Sequence, residues 1–171
     1  MNIAIEKLKQ SDAEKLFEFE GKNRTYFETM IPGRGDDYYE FETFIKRHTS
    51  LLEEHSKGVS YYYLIKDTRG FILGRINLAD ISEQSTIGYL GYRIGQAQAG
   101  KGIATKALGL FLNMMTDKGI KKIKAKTTTD NIGSQKILER NGFKLVSTDD
   151  KMFEMNGQKM QFIHYIWPGD G

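Results

Sequence analysis

The sequence predicts an α/β (α+β) fold with a mixed central sheet of about seven strands flanked by about four helices. The apolar residues switch repeatedly between the two-residue spacing of strands and the three- to four-residue spacing of helices. The elements follow in the order β-α-α-β-β-β-α-β-α-β-β. This order favours an antiparallel first half, parallel pairing around residues 86–127, and helices on both faces. Since no repeat or linker interrupts the 171 residues, one domain over residues 1–171 is expected.

The first half of the chain begins with a strand and two helices. Residues 2–8 alternate as a short strand, and Ser11 or Asp12 can cap the helix that follows. Residues 30–36 contain a proline and two glycines, which is typical of a loop. From Asp37 to about Lys57 the apolar spacing predicts a longer amphipathic helix. His48 and His55 lie on or near its apolar stripe, and we expect structural roles for both.

Three strands and then alternating helices and strands complete the prediction. The three strands form a meander over residues 59–66, 71–80 and 86–94. Next come a helix with Ile103 to Met115 on one side, a strand over 120–127, a helix over 131–141 and a long strand from Phe143. Gly142 is expected to be the left-handed stop of the last helix. Asn156-Gly157 predicts a type I′ hairpin.

Composition and charge exclude several classes of function. The chain has no cysteine, so it cannot form a disulfide, a zinc-thiolate site or a cysteine nucleophile. It shows neither a signal peptide nor a run of about 18 apolar residues, so a cytoplasmic protein that does not enter a membrane is expected. The net charge of +3 is mild. The densest lysine run, over residues 121–126, alternates with Ile123 and Ala125, which indicates a strand with one polar face.

A glycine-rich loop stands between the third meander strand and the next helix. Gly100 and Gly102 allow backbone angles closed to other residues and let an anion approach the main chain. The first-turn amides and the dipole of the helix add positive potential, and Lys101 adds a mobile charge. Residues 100–105 are therefore predicted to hold a pyrophosphate. The spacing fits neither GxxxxGK[ST], the phosphate loop of nucleotide hydrolases, nor the dinucleotide pattern GxGxxG, because Thr105 stands at its last position.

The strand before this loop is interrupted by Gly88, Gly91 and Gly95. Glycine inside a strand often marks a bulge or a close backbone approach. A bulged strand would part from its parallel neighbour and open a slot between residues 90–95 and 123–128. An extended thiol arm could lie there like an added strand. The alternative is that the glycines only relieve crowding by tyrosines.

Three segments together resemble the GNAT acetyltransferases: Leu90-Gly-Tyr-Arg-Ile94, Gly100-Lys-Gly-Ile-Ala-Thr-Lys-Ala-Leu108 and Asn131-Ile-Gly-Ser-Gln-Lys-Ile-Leu-Glu-Arg-Asn-Gly-Phe143. Within that superfamily the chain looks like the RimJ/RimL branch, which acetylates protein N-terminal amines, often of ribosomal proteins. The resemblance implies acetyl-CoA as cofactor, no metal, and direct attack of a primary amine on the thioester in a ternary complex. It covers nearly the whole chain.

The chain also departs from the pattern of that superfamily. The Arg or Gln that usually precedes the second loop glycine by three residues is Ala99, with Gln98 beside it. This leaves the pyrophosphate to the backbone amides and Lys101. Two acidic positions of the RimJ/RimL branch are occupied by Tyr89 and Gln161, which weakens any carry-over of a carboxylate on the acceptor side.

The implied chemistry needs a base, an oxyanion donor and an acid. Glu154 is the first candidate for the base, with Glu42 and Asp80 behind it. The backbone amide of Arg93 or Ile94 is the candidate oxyanion donor. By resemblance Ser134 assists the departing thiolate, and Asn131 bonds the thiol arm or orients a water. Asn131 and Ser134 equally suit the capped start of a helix.

Two sets of binding residues follow from the loop and the resemblance. The cofactor is expected to contact Tyr92, Arg93, Ile94, Gln98, Gly100, Lys101, Gly102, Ile103, Ala104, Thr105, Asn131 and Lys136. The acceptor is expected to contact Arg24, Phe27, Arg34 and Tyr38, although each of these also suits packing against the sheet.

The acceptor itself stays open. A protein N-terminal amine, of the ribosomal-protein type, is favoured over a polyamine or an aminoglycoside. The replacements at Tyr89 and Gln161 motivate a third reading, a non-catalytic acetyl-CoA-binding module. Direct nucleic-acid binding is least favoured, because the lysines do not gather with exposed aromatics on one element. A monomer and a homodimer are both compatible with the sequence.

Overall fold

The computed structural model describes residues 2–30 and 33–168. Its strands are β1 (Ile3–Lys7), β2 (Tyr61–Asp67), β3 (Ile72–Ala79), β4 (Ile87–Ile94), β5 (Lys122–Thr128), β6 (Lys144–Thr148), β7 (Phe153–Met155), β8 (Gln158–Met160) and β9 (Phe162–Trp167). Its α-helices are α1 (Ala13–Lys22), α2 (Arg24–Glu28), α3 (Phe41–Ser56), α4 (Ile103–Asp117) and α5 (Ile132–Arg140). Short 3₁₀ turns cover Gln10–Asp12, Asp36–Tyr39 and Gln96–Gln98. Residues 31 and 32 of the expected loop over 30–36 lie outside the described residues.

The main sheet has seven strands in the order β1-β2-β3-β4-β5-β9-β6. Strands β1 to β4 form an antiparallel meander, and β4 pairs with β5 in parallel. The α/β (α+β) class, the seven strands and the change from antiparallel to parallel pairing are therefore confirmed. The described residues contain one α-helix more than the four expected, the five-residue α2.

The end of the chain differs from the prediction. The strand after Phe143 is short and ends at Thr148. Asn156 and Gly157 do form a hairpin turn, with φ of 54° and 77° as a type I′ turn requires. However, the hairpin joins β7 to β8 in a separate two-stranded ribbon. The chain then returns as β9 between β5 and β6. Turn chemistry is local, whereas the choice of a sheet partner is not, so only the turn could be predicted.

Two apolar cores cover the two faces of the sheet. On one face, α4 packs Ala107, Leu108 and Phe111 against β2, β3 and β5. We call this the α4 face. On the other face, α1 and α3 pack Leu16 and Phe44 against Leu64 of β2. We call this the α1 face. The lysines of β5 point away from the α4 core and are exposed, as the alternation predicted.

His55 has the expected structural role. It is 7% exposed at the end of α3, and its Nδ1 accepts the backbone N–H of Tyr62 at 2.9 Å. Burial lowers the pKa of its imidazole to about 4, and the nearby positive charges of Lys7 and Lys118 act in the same direction. At neutral pH His55 is therefore an uncharged acceptor that fixes the start of β2 to α3.

No helix among the described residues is long and apolar enough to cross a membrane.

Candidate active site

The sheet opens between β4 and β5. The two strands pair only from Ile87–Lys122 to Tyr89–Lys124, although β4 continues to Ile94 and β5 to Thr128. Beyond the last pair the strands part, and the expected slot lies between them. We call it the β4–β5 gap.

The bulge that was expected to cause this gap is absent. From Ala79–Tyr89 to Gly74–Ile94, β4 follows β3 without a register shift. The strand glycines instead make room for neighbouring side chains. A Cβ on Gly88 would lie 2.5 Å from Cγ of Leu78, and one on Gly91 would lie 3.0 Å from the Asn77 side chain. The prediction of a bulge was wrong, because glycine in a strand also marks close packing.

The alternating hydrogen-bond pattern of antiparallel strands shows which peptide groups of β4 face the gap. The amide of Gly95 donates to the Leu73 carbonyl at 2.8 Å, so Gly95 bonds toward β3. Alternate residues bond on alternate sides, so the peptide groups of Tyr92 and Ile94 point the other way, toward β5. Of the two candidate oxyanion donors, the amide of Ile94 faces the gap and that of Arg93 faces β3.

Tyr92 and Ser134 meet beside the gap. The Tyr92 hydroxyl and Ser134 Oγ form a 3.0 Å hydrogen bond, which joins β4 to the first turn of α5. Burial raises the pKa of the Tyr92 phenol, and the bond to Ser134 opposes this only in part. The Ser134 backbone N–H donates to Asn131 Oδ1 at 3.1 Å, so Asn131 is the N-cap of α5. The cap fixes Ser134, and the Ser134 hydroxyl stays available for chemistry.

The glycine-rich loop has the geometry of an anion cradle. Gly100 and Gly102 have φ of 76° and 77°, a region that side chains rarely adopt. Nothing lies within 4 Å of where their Cβ atoms would be, so the loop is open to an approaching group. Gly102 is the N-cap of α4, and no side chain caps this helix. The first amides of α4 are thus available to phosphate oxygens.

Gln98 lies just before this loop. Its Oε1 is buried and is one of two such atoms among the described residues without a hydrogen-bond partner. A buried unpartnered oxygen is rare and costly. Gln98 lies next to the cradle, so this oxygen can accept a hydrogen bond from a bound ligand. The residues present therefore fit coenzyme A, although Ala99 replaces a usual side-chain contact.

A shallow groove continues from the cradle between α4 and α5. It is lined by residues that include Thr105, Lys106, Arg140, Asn141 and Trp167. The Asn141 side chain donates to the Thr105 carbonyl at 3.2 Å and so ties the end of α5 to the start of α4. Arg140 lies in this groove. Lys136 is exposed one turn earlier on α5 and is not among the lining residues.

The α1 face beside β4 holds a buried charge cluster. The Glu20 carboxylate is fully buried and accepts from Arg75 Nη1 at 2.7 Å and from Arg93 Nη1 at 3.0 Å. The Tyr38 hydroxyl donates to Glu20 Oε1 at 3.3 Å and accepts from Arg75 at 3.1 Å. We call these four residues the Glu20 cluster. Because Arg93 is adjacent to Tyr92, the cluster fixes the strand on which the gap is built.

The charges in the Glu20 cluster set the ionisation of its members. Burial by itself raises the pKa of the Glu20 carboxyl, but Arg75 and Arg93 outweigh it, so the pKa lies below its usual value of 4.5. Burial lowers the pKa of the Arg93 guanidinium, and the positive charges of Arg34 and Arg75 lower it further. The negative charge of Glu20 raises it but does not outweigh these effects. Glu20 is thus a permanent carboxylate with a structural charge and is unsuited to be the catalytic base.

The four predicted acceptor residues lie near one another but differ in environment. Phe27 is 2% exposed, with the Arg93 guanidinium 4.6 Å from its ring centroid, and Tyr38 is 3% exposed. Arg24 forms ion pairs with Glu28 at 3.1 Å and with Asp36 at 2.6 Å. Arg34 is exposed, with its guanidinium 4.8 Å from the Tyr38 ring centroid. Phe27 and Tyr38 thus pack in the interior, and Arg34 is the one that faces solvent.

The carboxylates predicted as bases lie apart from Tyr92 and Ser134. Glu154 is exposed on β7 opposite Lys159, in the small ribbon. The ribbon is fixed to α2, because Asn156 Nδ2 donates to the Thr29 carbonyl at 2.9 Å. Glu42 and Asp80 lie at the start of α3 and after β3. Among the described residues no hydrogen bond or ion pair joins any of the three to Tyr92 or Ser134.

A histidine and an aspartate form a pair that the sequence analysis missed. Nε2 of His164 lies 2.8 Å from Asp149 Oδ1, and both side chains are partly exposed. In β9, Ile163 and Tyr165 belong to the α4 core, so His164 points to the α1 face. His164 pairs with Lys126 of β5, which borders the gap. The pair therefore lies on the face opposite α4, one strand from the gap.

Comparison with known proteins identifies the family of this chain. Residues 2–144 match the family described as "Acetyltransferase (GNAT) domain". The chain belongs to the GNAT acetyltransferase family. It is therefore an N-acetyltransferase enzyme that uses acetyl-CoA, and the resemblance stated from its sequence is confirmed. Among the described residues, no three His, Cys, Asp or Glu side chains are grouped so as to hold a metal ion.

Individual relatives cover most of this acetyltransferase. It is 31% identical to the probable N-acetyltransferase YjcK of Bacillus subtilis, over 98% of this chain and 96% of that protein. It is 27% identical to the [ribosomal protein uS5]-alanine N-acetyltransferase of Escherichia coli, over 82% of this chain and 74% of that protein. A RimL ribosomal L7/L12 α-N-protein acetyltransferase in complex with coenzyme A shares its fold, with a TM-score of 0.84, 20% identity and coverage of 99% and 97% of the two chains.

Sequence signals existed for some of the residues that were missed. Glu20 follows Leu16 by four residues, so an acidic side chain stands on the apolar side of α1. Arg75 stands in the middle of a mostly apolar strand. A charge at such a position predicts a buried partner, but it does not say which one. Nothing in the sequence around these residues indicated that Glu20 pairs with Arg93 or that His164 pairs with Asp149.

Proposed function

We propose that this acetyltransferase works in the cytoplasm on the N-terminal α-amine of a protein, of the ribosomal-protein type. One observation supports acetyl transfer above all. Strands β4 and β5 part, and Tyr92 and Ser134 lie beside the opening. Support for the acceptor comes from the relative that acetylates the alanine of ribosomal protein uS5. Tyr89 and Gln161 stand where the RimJ/RimL branch has acidic residues, and the proposal gives neither of them a role.

The residues that would hold acetyl-CoA are those of the cradle, the gap and the groove. The amides after Gly102, with Lys101, would bind the pyrophosphate. Gln98 Oε1 is an acceptor, so it would take a hydrogen bond from an amide N–H or a hydroxyl of the cofactor and not from a phosphate oxygen. The peptide groups of Tyr92 and Ile94 would bond the extended arm. Bound acetyl-CoA supplies the thioester that the amine attacks. Thr105 and Arg140 line the groove on the nucleotide side.

The Tyr92–Ser134 pair would act on the departing sulfur. A hydroxyl at Ser134 can donate a hydrogen bond toward it while Tyr92 donates to Ser134 Oγ at 3.0 Å. Burial keeps the Tyr92 phenol protonated, and its pKa lies above that of an ordinary thiol, about 8.5. The pair therefore acts by donating hydrogen bonds and does not lose a proton outright. The chain contains no cysteine that could carry the acetyl group instead.

Charge on the α1 face favours a peptide over a polyamine. Lys122, Lys124 and Lys126 are exposed on β5, and Lys126 follows the last pair with β4, beside the gap. Arg93 and Arg75 lie behind them in the Glu20 cluster, which holds two cations for one carboxylate. A polyamine carries several positive charges, and like charges brought together disfavour binding. An N-terminal amine carries one.

The proposal is tested by thiol release from acetyl-CoA with two acceptor panels. Peptides of six residues that begin with Ala, Ser or Met should release thiol at least tenfold faster than spermidine at the same concentration. N-terminal blocking of the best peptide should abolish release, since only the α-amine is acetylated. Faster turnover with spermidine would overturn the acceptor assignment. No release with any amine, together with stabilisation by acetyl-CoA, would mean a binding module and not an enzyme.

We further propose that the His164–Asp149 pair takes the proton from the acceptor amine. The Asp149 carboxylate holds the ring at 2.8 Å, and the other nitrogen of a neutral imidazole can accept a proton. His164→Gln should lower kcat/KM about tenfold at pH 7, where an α-amine of pKa about 8 is mostly protonated. The deficit should close above pH 9, where the free amine predominates.

Lys159→Gln is the control for the His164 variant, because Lys159 is exposed on β8, in the small ribbon. It should leave the pH profile unchanged. If the kcat/KM of His164→Gln is lower than that of wild type by the same factor at every pH, the imidazole does not take the proton.

A further inference from the structure

A second pocket lies on the α1 face, between α3 and the segment before it. It has a volume of about 250 Å³, and the residues that line it include Arg34, Tyr38, Phe44, Arg47, His48 and Leu51. This volume lies below the range of about 300–1,000 Å³ that is typical of drug-sized ligands. None of its lining residues belongs to the cradle, the gap or the α4–α5 groove.

Three guanidinium groups converge on Tyr38 in this pocket. The Arg34 and Arg47 Cζ atoms lie 4.8 Å and 5.6 Å from the Tyr38 ring centroid. Arg75 donates to the Tyr38 hydroxyl at 3.1 Å. The hydrogen bonds of Arg75 to Tyr38 and Glu20 both use Nη1. The rest of this planar donor group is thus available to a ligand.

The positive charge on the pocket wall exceeds the negative charge. Within the described part of the chain, neither Arg34 nor Arg47 forms an ion pair, and Arg75 shares Glu20 with Arg93. The single carboxylate on the wall, Glu54, accepts a long 3.5 Å hydrogen bond from the Tyr62 hydroxyl. Three cations therefore face one anion, and guanidinium forks match carboxylate and phosphate oxygens in pairs.

His48 adds an independent sign of a missing partner. It is 1% exposed, and its Nε2 lies 2.8 Å from the Lys9 carbonyl. A carbonyl only accepts, so Nε2 carries the hydrogen. Nδ1 is buried and, within the described residues, has no hydrogen-bond partner. Nδ1 is therefore an acceptor, and a hydroxyl group of a ligand in the pocket can donate to it.

We propose that this pocket binds a small organic dianion, either a phosphate monoester or a dicarboxylate, at a site separate from the coenzyme A site. The anionic oxygens lie among Arg34, Arg47 and Arg75, and the carbon part contacts Phe44 and Leu51. The site does not depend on which amine the enzyme acetylates.

The test is calorimetric titration of the enzyme saturated with coenzyme A, so that the cradle is filled. Glycerol 3-phosphate and succinate are the two probes, and they distinguish a phosphate ligand from a dicarboxylate. At least one should bind with one ligand per chain. Arg47→Gln, an exposed substitution, should raise its Kd at least tenfold. Lys46→Gln removes the neighbouring exposed charge on α3 and should change Kd less than twofold.

Binding of neither probe, or equal weakening by Arg47→Gln and Lys46→Gln, would overturn the proposal.

Discussion

Glu20→Gln is expected to lower the free energy of unfolding by about 3–5 kcal/mol at pH 7, because removing one partner of a buried ion pair leaves the other charge uncompensated. Here two cations are left, since Arg75 and Arg93 are bound at 2.7 and 3.0 Å to a carboxylate whose side chain is fully buried. Glutamine keeps the shape of glutamate but not its charge. Denaturation by urea, with midpoint and slope compared between wild type and variant, measures the loss.

The pH dependence of this difference identifies its cause. The folded pKa of Glu20 lies below the usual 4.5, so ionised Glu20 stabilises the folded state above pH 4.5. As the pH falls through the folded pKa, this contribution is lost. The difference in free energy of unfolding between wild type and Glu20→Gln should therefore become smaller in acid.

Glu18→Gln is the matched control for Glu20, because Glu18 is exposed on the same helix. It should change the free energy of unfolding by less than about 0.5 kcal/mol. Equal stability of wild type and Glu20→Gln at pH 7 would contradict the importance of the cluster. Since Arg93 is next to Tyr92 on β4, the Glu20 variant should also lose activity at temperatures where it is still folded.

Ser134→Ala and Tyr92→Phe should each lower kcat about 100-fold, the effect of removing one fixed hydrogen-bond donor from a developing negative charge. Their hydroxyls are 3.0 Å apart, so they work as one unit. The double variant should then be little slower than the worse single variant, because effects of residues in one network do not add. Single-turnover kinetics with the best acceptor peptide measure the chemical step.

Two controls separate chemistry from binding and structure. Acetyl-CoA affinity, measured by titration, should change less than about threefold in both variants. Tyr89→Phe removes the hydroxyl of a tyrosine on the same strand that is 48% exposed, and should leave kcat unchanged. A normal single-turnover rate in Ser134→Ala would remove the pair from the mechanism.

The local parts of this protein were readable from its sequence. Hydrophobic periodicity predicted the strands and helices, because each element must bury one face whatever its neighbours are. Gly142 and Asn156-Gly157 predicted their turns, since positive φ is a property of the residue itself. Gly100 and Gly102 predicted the cradle for the same reason, and the helix after them needs only its own amides to attract an anion.

The tertiary structure decided what lies between elements. The parting of β4 from β5, the insertion of β9 between β5 and β6, and the absence of a bulge all depend on pairing across long separations. The contacts of Glu20 with Arg93 and of Tyr92 with Ser134 span 73 and 42 residues. A side chain's type predicts that it needs a partner, but only the folded chain decides which partner it meets. The sequence thus predicted the glycine-rich loop and the start of the helix after it, and the fold determined the charges and hydroxyls around the gap.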